Sequence, residues 1–131
     1  MLYCGDYNAL KKNEYDLIIS YYTLQFIPKI YKKKFLKKVF TSLKNNSAFI
    51  LFEKTTPKTV REYELYNSLY SDFKRSNHIS PSEIIEKEIS LRSILNLSTT
   101  KDLHKMLRET GFTKIIPLTK YLFFEGYIIF N

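Results

Sequence analysis

The side chains of this sequence that could bind or react lie in separate clusters, and each cluster admits a functional and a structural reading. Asp6 follows Gly5, and a carboxylate just past a strand end can accept hydrogen bonds from a nucleotide's amino or hydroxyl groups. Gly-Asp also makes an ordinary turn. Tyr21 and Tyr22 close an apolar run, where a phenol can stack on a base and hydrogen-bond through its hydroxyl, or simply pack. Glu53-Lys54 closes a second run and reads either as ligand-facing or as an exposed ion pair of small energetic worth. Six lysines between Lys29 and Lys38 suit a polyanion or a solvated helix face. Phe73-Lys74-Arg75 beside Tyr70 mixes aromatic and basic groups, as many helix ends do. Cys4, His78 and His104 each stand alone, without metal-ligand spacing; His78 reads as a solvated turn residue and His104 as a helix-surface one. The three glycines form no phosphate-cradling loop, and no nucleophile–base pair is readable.

The elements that must position these groups follow from the apolar pattern. Residues 15–22 are β-rich and apolar without clean alternation, which predicts a strand covered on both faces. Pro28 opens a helix to about Lys44, with Tyr31, Phe35, Val39 and Leu43 as its buried stripe and most of the lysines away from it. Asn45-Asn46-Ser47 stops that helix, since Asn tolerates the left-handed backbone of such ends. Residues 48–53 form a second buried strand, and strand, helix, strand make a βαβ unit. Helices are predicted over 59–76 and 80–96, the second with Ser80 as cap and Pro81 in its first turn. A further helix starts at Thr99 or Thr100, buries Leu103, Met106 and Leu107, and stops at Gly111. Strands over 114–118 and 121–130, around Pro117, close the chain.

The composition sets outer limits. A length of 131 residues with 44% hydrophobic residues fits one domain with a packed core, and excludes a disordered, collagenous or coiled-coil chain. A single cysteine excludes an internal disulfide framework and fits a reducing compartment, so a cytoplasmic location is expected. No apolar run is long enough to span a bilayer, and no secretory signal is visible. The net charge of +8 comes almost wholly from lysine. Nucleic-acid readers favour arginine, so the excess fits compositional drift as well as a polyanion surface.

The order of several segments then carries a resemblance. Asp16-Leu-Ile-Ile, Thr23-Leu-Gln-Phe26, Leu36 and Leu43-Lys44, and Phe49-Ile-Leu-Phe-Glu53-Lys54 resemble the second half of a class I S-adenosylmethionine-dependent methyltransferase. With Asp72-Phe-Lys-Arg-Ser-Asn77, Ser82-Glu-Ile84 and Gly111-Phe112, the chain is similar to the bacterial carboxy-S-adenosylmethionine synthase family, nearly without gaps from Gly5 onward. The resemblance implies an α/β, Rossmann-like sheet of about four strands, the last antiparallel, with about four helices. It implies S-adenosylmethionine as cofactor and prephenate as second substrate. The family's product is used to modify the wobble uridine of certain tRNAs, so any tRNA contact is indirect.

Residue by residue, Asp6 and Tyr7 match the family's pair near the adenine, and Tyr21 falls where the family places an Asn in the cofactor site. Glu88 falls where the family has an Arg that grips the extra carboxylate, a charge reversal that Arg92, one turn later, is placed to offset. This departure keeps a plain methyltransferase of unknown acceptor in contention, beside a basic tRNA- or polyanion-binding module without catalysis. The family's first strand, Gly-rich loop and ribose-binding acid have no counterpart in residues 1–131; residues 1–4 correspond to a strand end that follows them. The expectation is an N-terminally incomplete domain over 1–131, inactive alone. Its bare edge at residues 15–22 would be covered by self-association or by a complementing N-terminal half.

Overall fold

The computed structural model describes residues 5–131, so the strand end expected at residues 1–4 lies outside the described residues. Four strands, β1 (Tyr15–Tyr21), β2 (Leu43–Lys54), β3 (Lys114–Tyr121) and β4 (Phe124–Phe130), form one sheet in the order β1-β2-β4-β3. β1 and β2 are parallel, and β4 runs antiparallel to both β2 and β3. The helices are α1 (Lys29–Ser42), α2 (Val60–Ser76), α3 (Pro81–Leu91) and α4 (Thr100–Thr110). The mixed α/β sheet with a reversed last strand matches the expected fold class.

Period-two alternation sorts the central strands. On β2, Phe49, Leu51 and Glu53 point inward, beside Ile129, Tyr127 and Glu125 of β4 at the paired positions. α1 and α4 cover this inner face with Phe35, Leu36, Val39, Leu103 and Leu107, which build the core. Each such buried side chain contributes roughly 2 kcal/mol of apolar transfer. The outer face is different. On β1, Leu17, Ile19 and Tyr21 are 48%, 58% and 67% exposed, so this strand is covered on one face only, contrary to the sequence expectation. The cause is its place at the sheet edge, where among the described residues nothing packs over that side.

α1 also departs from its expected stripe. Tyr31 is half exposed, whereas Lys32, Phe35, Leu36, Val39 and Ser42 are buried. A strict four-residue spacing drifts around a helix with 3.6 residues per turn, so the stripe follows steps of three and four instead. α1 stops at Ser42, and Asn46 takes a left-handed backbone (φ 59°). Pairing jumps from Tyr15↔Leu43 to Leu17↔Ala48, so residues 44–47 bulge before the regular ladder begins.

Capping follows the sequence closely. Thr59 with Glu62 and Ser80 with Glu83 form capping boxes, with Pro81 in the first turn of α3. α3 ends at Leu91, earlier than expected, because the chain that follows is tied to the sheet: Asn96 N donates to Gln25 O at 2.7 Å, and Ser98 bridges Thr55. Gly111 ends α4 at φ 123°, where a Cβ would lie 2.8 Å from the Phe40 ring. β3 runs through Pro117, which an edge strand tolerates, with a register slip between Pro117 and Thr119. The β3–β4 turn drives Phe123 among Tyr63, Tyr66 and Tyr70 of α2.

Candidate functional site

Ligands of open parallel sheets bind outside the carboxyl ends of the strands, and the ends of β1 and β2 concentrate the unusual chemistry of this chain. β1 finishes in an exposed Tyr21 ring, held edge-on by Tyr22 at 4.6 Å and Phe52 at 5.4 Å. Tyr22 takes a left-handed backbone (φ 50°), costly for a bulky residue, and donates its N–H to Phe52 O at 2.9 Å. Burial, helped by the charges of Tyr21, Tyr70 and Glu53, raises its phenol above the ordinary range.

β2 finishes in Glu53-Lys54, which is neither a solvated ion pair nor exposed. Glu53 is 1% accessible, and so is Lys32 of α1. Lys32 Nζ donates to Asn96 O and, at 3.1 Å, to Ser98 Oγ. Gln25 Oε1 and Glu53 Oε1 both accept from Lys54 N, at 3.1 and 3.2 Å. Glu53 Oε2 finds no hydrogen-bond partner among the described residues. Burial pushes the Glu53 carboxyl up to about 7, against the pull of the Lys32 charge and two backbone donors. Burial likewise lowers the Lys32 ammonium, with Glu53 opposing.

Beyond Lys54 opens a cavity of about 890 Å³ between α2, α3 and the hairpin turn. Its charged lining is Lys29, Lys54, Lys74, Lys87 and Arg92 against Glu83 and Glu88, a surplus of cations. Tyr63, Tyr70, Phe73 and Phe123 supply ring faces. Such a lining suits a small organic anion with a flat or apolar body.

The expected site residues fall in three places. Asp6 caps the short turn Tyr7–Ala9, its Oδ1 accepting from Asn8 N at 2.9 Å and Asn8 Nδ2 at 3.0 Å. Tyr7 packs edge-on against Phe35 at 5.0 Å and lines a second cavity of about 420 Å³ with Lys34, Lys37 and Lys38. Tyr21 stands on the outer face of the sheet, in neither cavity. Glu88 lines the large cavity, 3.5 Å from Lys74 Nζ, with Arg92 on the same wall.

Sequence reasoning missed the buried polar groups. Lys32 was hidden in a lysine run, although it stands three residues before Phe35 and seven before Val39, on the buried stripe. Glu53 continues the inward alternation of Phe49 and Leu51. A second carboxylate, Glu125, accepts from Thr100 Oγ1, Lys120 Nζ and Tyr127 Oη, each at 2.6 Å. Burial alone would raise it, but these three donors hold it below the usual carboxylate range. His104 is not a free helix-surface residue: its ring meets Tyr127 edge-on at 4.9 Å, its Nε2 has no partner among the described residues, and burial lowers its pKa. No group of three or more metal-ligating side chains converges, and no helix is long and apolar enough to cross a membrane, among the described residues.

Sheet order, reversed last strand and the cavity beyond the strand ends define the class: the carboxyl-terminal part of a class I methyltransferase-type fold. The S-adenosylmethionine-dependent methyltransferase SibL superposes with a TM-score of 0.63 at 11% identity, covering 98% of this chain and 35% of that one. Human N-acetylserotonin methyltransferase, in complex with S-adenosylmethionine, gives 0.59 at 14% identity over 97% and 32%. At sequence level the chain is a homologue of the carboxy-S-adenosyl-L-methionine synthases. It is 36% identical over 123 residues to the protein of that name from Staphylococcus epidermidis, and 29% over 127 residues to that from Chromohalobacter salexigens. These alignments take in 94% and 97% of this chain but 54% and 47% of the relatives, so the chain spans about half their length. No model of a protein family matches it.

Proposed function

We propose that the chain supplies the second-substrate side of an S-adenosylmethionine-dependent transferase of the carboxy-S-adenosylmethionine synthase type. The observation that carries this reading is the 36% identity across nearly the whole chain, together with a cation-rich, ring-lined cavity at the sheet's carboxyl edge. S-adenosylmethionine, when bound, offers an activated carbon beside its sulfonium centre. The expected cofactor residues carry suitable chemistry at separate places: the exposed Tyr21 ring at the end of the parallel pair can stack on a flat group, and Asp6 and Tyr7, at the turn before β1, offer acceptor and phenol chemistry to amino and hydroxyl groups.

The cavity then takes the second substrate, for which the family resemblance implies prephenate, a carboxylated ring. Lys54, Lys74 and Arg92 attract its carboxylates and Tyr70 and Phe73 flank its ring, while Arg92 replaces the cation that Glu88 gives up. The product would feed tRNA wobble-uridine modification in the cytoplasm. Glu88 also supports a second reading, a plain methyltransferase of another acceptor, because its ion pair with Lys74 withdraws one cation from any carboxylate ligand.

The Gly-rich half of such a fold, whether in the same or a separate polypeptide, would pair along the edge of β1, which is bare among the described residues. Titration calorimetry tests this with the chain alone and after addition of the first half of the Staphylococcus epidermidis relative. S-adenosylmethionine should bind only the mixture, and prephenate should add heat only then. Tight cofactor binding by the chain alone overturns the half-site reading, and silence from the mixture overturns the transferase reading.

A further inference from the structure

Lys54 is used by nothing described so far beyond its charge, and its surroundings suit a different task. Its side chain leaves the outer face of β2 at the strand's last residue, and its backbone N–H is clamped by Gln25 and Glu53. Its Nζ lies 5.3 Å from the centre of the Phe123 ring, 5.7 Å from Phe124 and 5.8 Å from Tyr70. No carboxylate comes within salt-bridge distance of it among the described residues; the nearby Glu88 is engaged by Lys74, whose own Nζ sits 4.4 Å from the Tyr70 ring. A half-buried amine beside a second cation, with rings for neighbours and an open cavity ahead, is how proteins activate a lysine as a nucleophile. The rings favour the ammonium form modestly, but burial and the Lys74 charge outweigh them and the pull of Glu88, and the net direction is down.

We propose that Lys54 is the nucleophile of the large cavity, an amine that condenses with the carbonyl carbon of a small carboxylated aldehyde or ketone. The lone pair of the neutral amine forms the new C–N bond as the carbonyl π electrons move to oxygen. The nitrogen's proton passes to that oxygen, a second proton from solvent lets it leave as water, and the C=N bond closes. One water is released, the amine's remaining N–H proton either stays on the imine or returns to solvent, and nothing is oxidised or reduced. Arg92 and Lys87 stand on the same wall to hold the carboxylate, and Tyr70 and Phe73 flank the organic body. Lys32, the other buried lysine, is excluded from this role because its Nζ is committed to Asn96 and Ser98.

The test is reductive amination of the whole 131-residue chain with 4-formylbenzoate and sodium cyanoborohydride near pH 7.5, mapped by peptide mass spectrometry. The exposed lysines Lys12 and Lys58 of the same molecule serve as references, so no variant has to fold. The Lys54 adduct should form severalfold faster than theirs, since burial and the neighbouring Lys74 charge leave more of this amine neutral. Excess benzoate should slow Lys54 alone. Lys54→Arg should remove the fast adduct and leave the slow ones. Labelling of Lys54 no faster than Lys12 and Lys58 overturns the proposal, as does fast labelling that benzoate leaves unchanged. The outcome is independent of whether S-adenosylmethionine binds, so this idea and the transferase reading can fail separately.

Discussion

Glu53 and Glu125 are register partners on adjacent antiparallel strands, both 1% exposed and both pointing into the face covered by α1 and α4. Both are closed to solvent, yet their carboxyls shift in opposite directions. Glu125 collects three short hydrogen bonds from Thr100, Lys120 and Tyr127 and stays in its charged form below the ordinary range. Glu53 has only backbone donors, no hydrogen-bond partner among the described residues on Oε2, and Lys32 as its charge neighbour, so burial carries its carboxyl up to about 7. Desolvation leads at both carboxylates: at the deeper Glu53 the available donors do not offset it, whereas at Glu125 three side-chain donors overcome it. The site end of the sheet thus combines a fixed negative charge with a carboxyl poised to change near neutrality.

The largest effect expected from breaking this contrast comes at Lys32. Lys32→Met leaves Glu53 without its cation and leaves Asn96 O and Ser98 Oγ without their donor. At pH 8 this should cost about 4 kcal/mol in urea unfolding, the scale for leaving a buried charge uncompensated and buried acceptors without a donor. At pH 6 the loss should shrink, because Glu53 then takes up a proton. A cost under about 1 kcal/mol at pH 8 would show that Lys32 does not offset the Glu53 charge.

Glu53→Gln asks the same question from the other side. Its folded carboxyl, about 7, lies above the ordinary 4.5, so the native state binds its proton more tightly than the unfolded chain. The sign follows: its contribution is fully present below pH 4.5 and is lost as pH rises toward 7. The variant should flatten that decline, by roughly 3 kcal/mol across the window. A pH–stability curve that keeps its slope in Glu53→Gln would assign the titration elsewhere.

The fold was more legible than the site, and for a physical reason. Strands, caps and stops are local: Ser80 with Glu83, Pro81, Gly111 and the alternation of β2 act over a few residues, and each is found where its chemistry predicts. Charged residues inside the core are non-local. Lys32 is buried because Asn96 and Ser98, more than sixty residues away, offer it oxygens, and no lysine-rich segment announces that. Periodicity did carry the hint, since both Lys32 and Glu53 sit in phase with apolar neighbours. Of the expected set, Tyr7 and Glu88 line different cavities, Tyr21 stands on an exposed face and Asp6 caps a turn; those positions rest on a resemblance to chains about twice as long.

The smallest effect sharpens the satisfied half of the comparison. Thr100→Val keeps the shape of the residue and removes one of the three donors to Glu125. Lys120 and Tyr127 remain, so the carboxylate keeps its charge and the loss should be about 1 kcal/mol, the net worth of a single hydrogen bond. Because Glu125 is held low, its contribution is present above its ordinary pKa of 4.5 and disappears as pH falls through the depressed folded value. Removing a donor raises that folded value, so the acid edge of the stability curve should move to higher pH, opposite to the flattening expected in Glu53→Gln. If Thr100→Val instead costs as much as Lys32→Met, the three donors act as one cooperative unit. Glu125 would then owe its charge to the whole network rather than to a sum of hydrogen bonds.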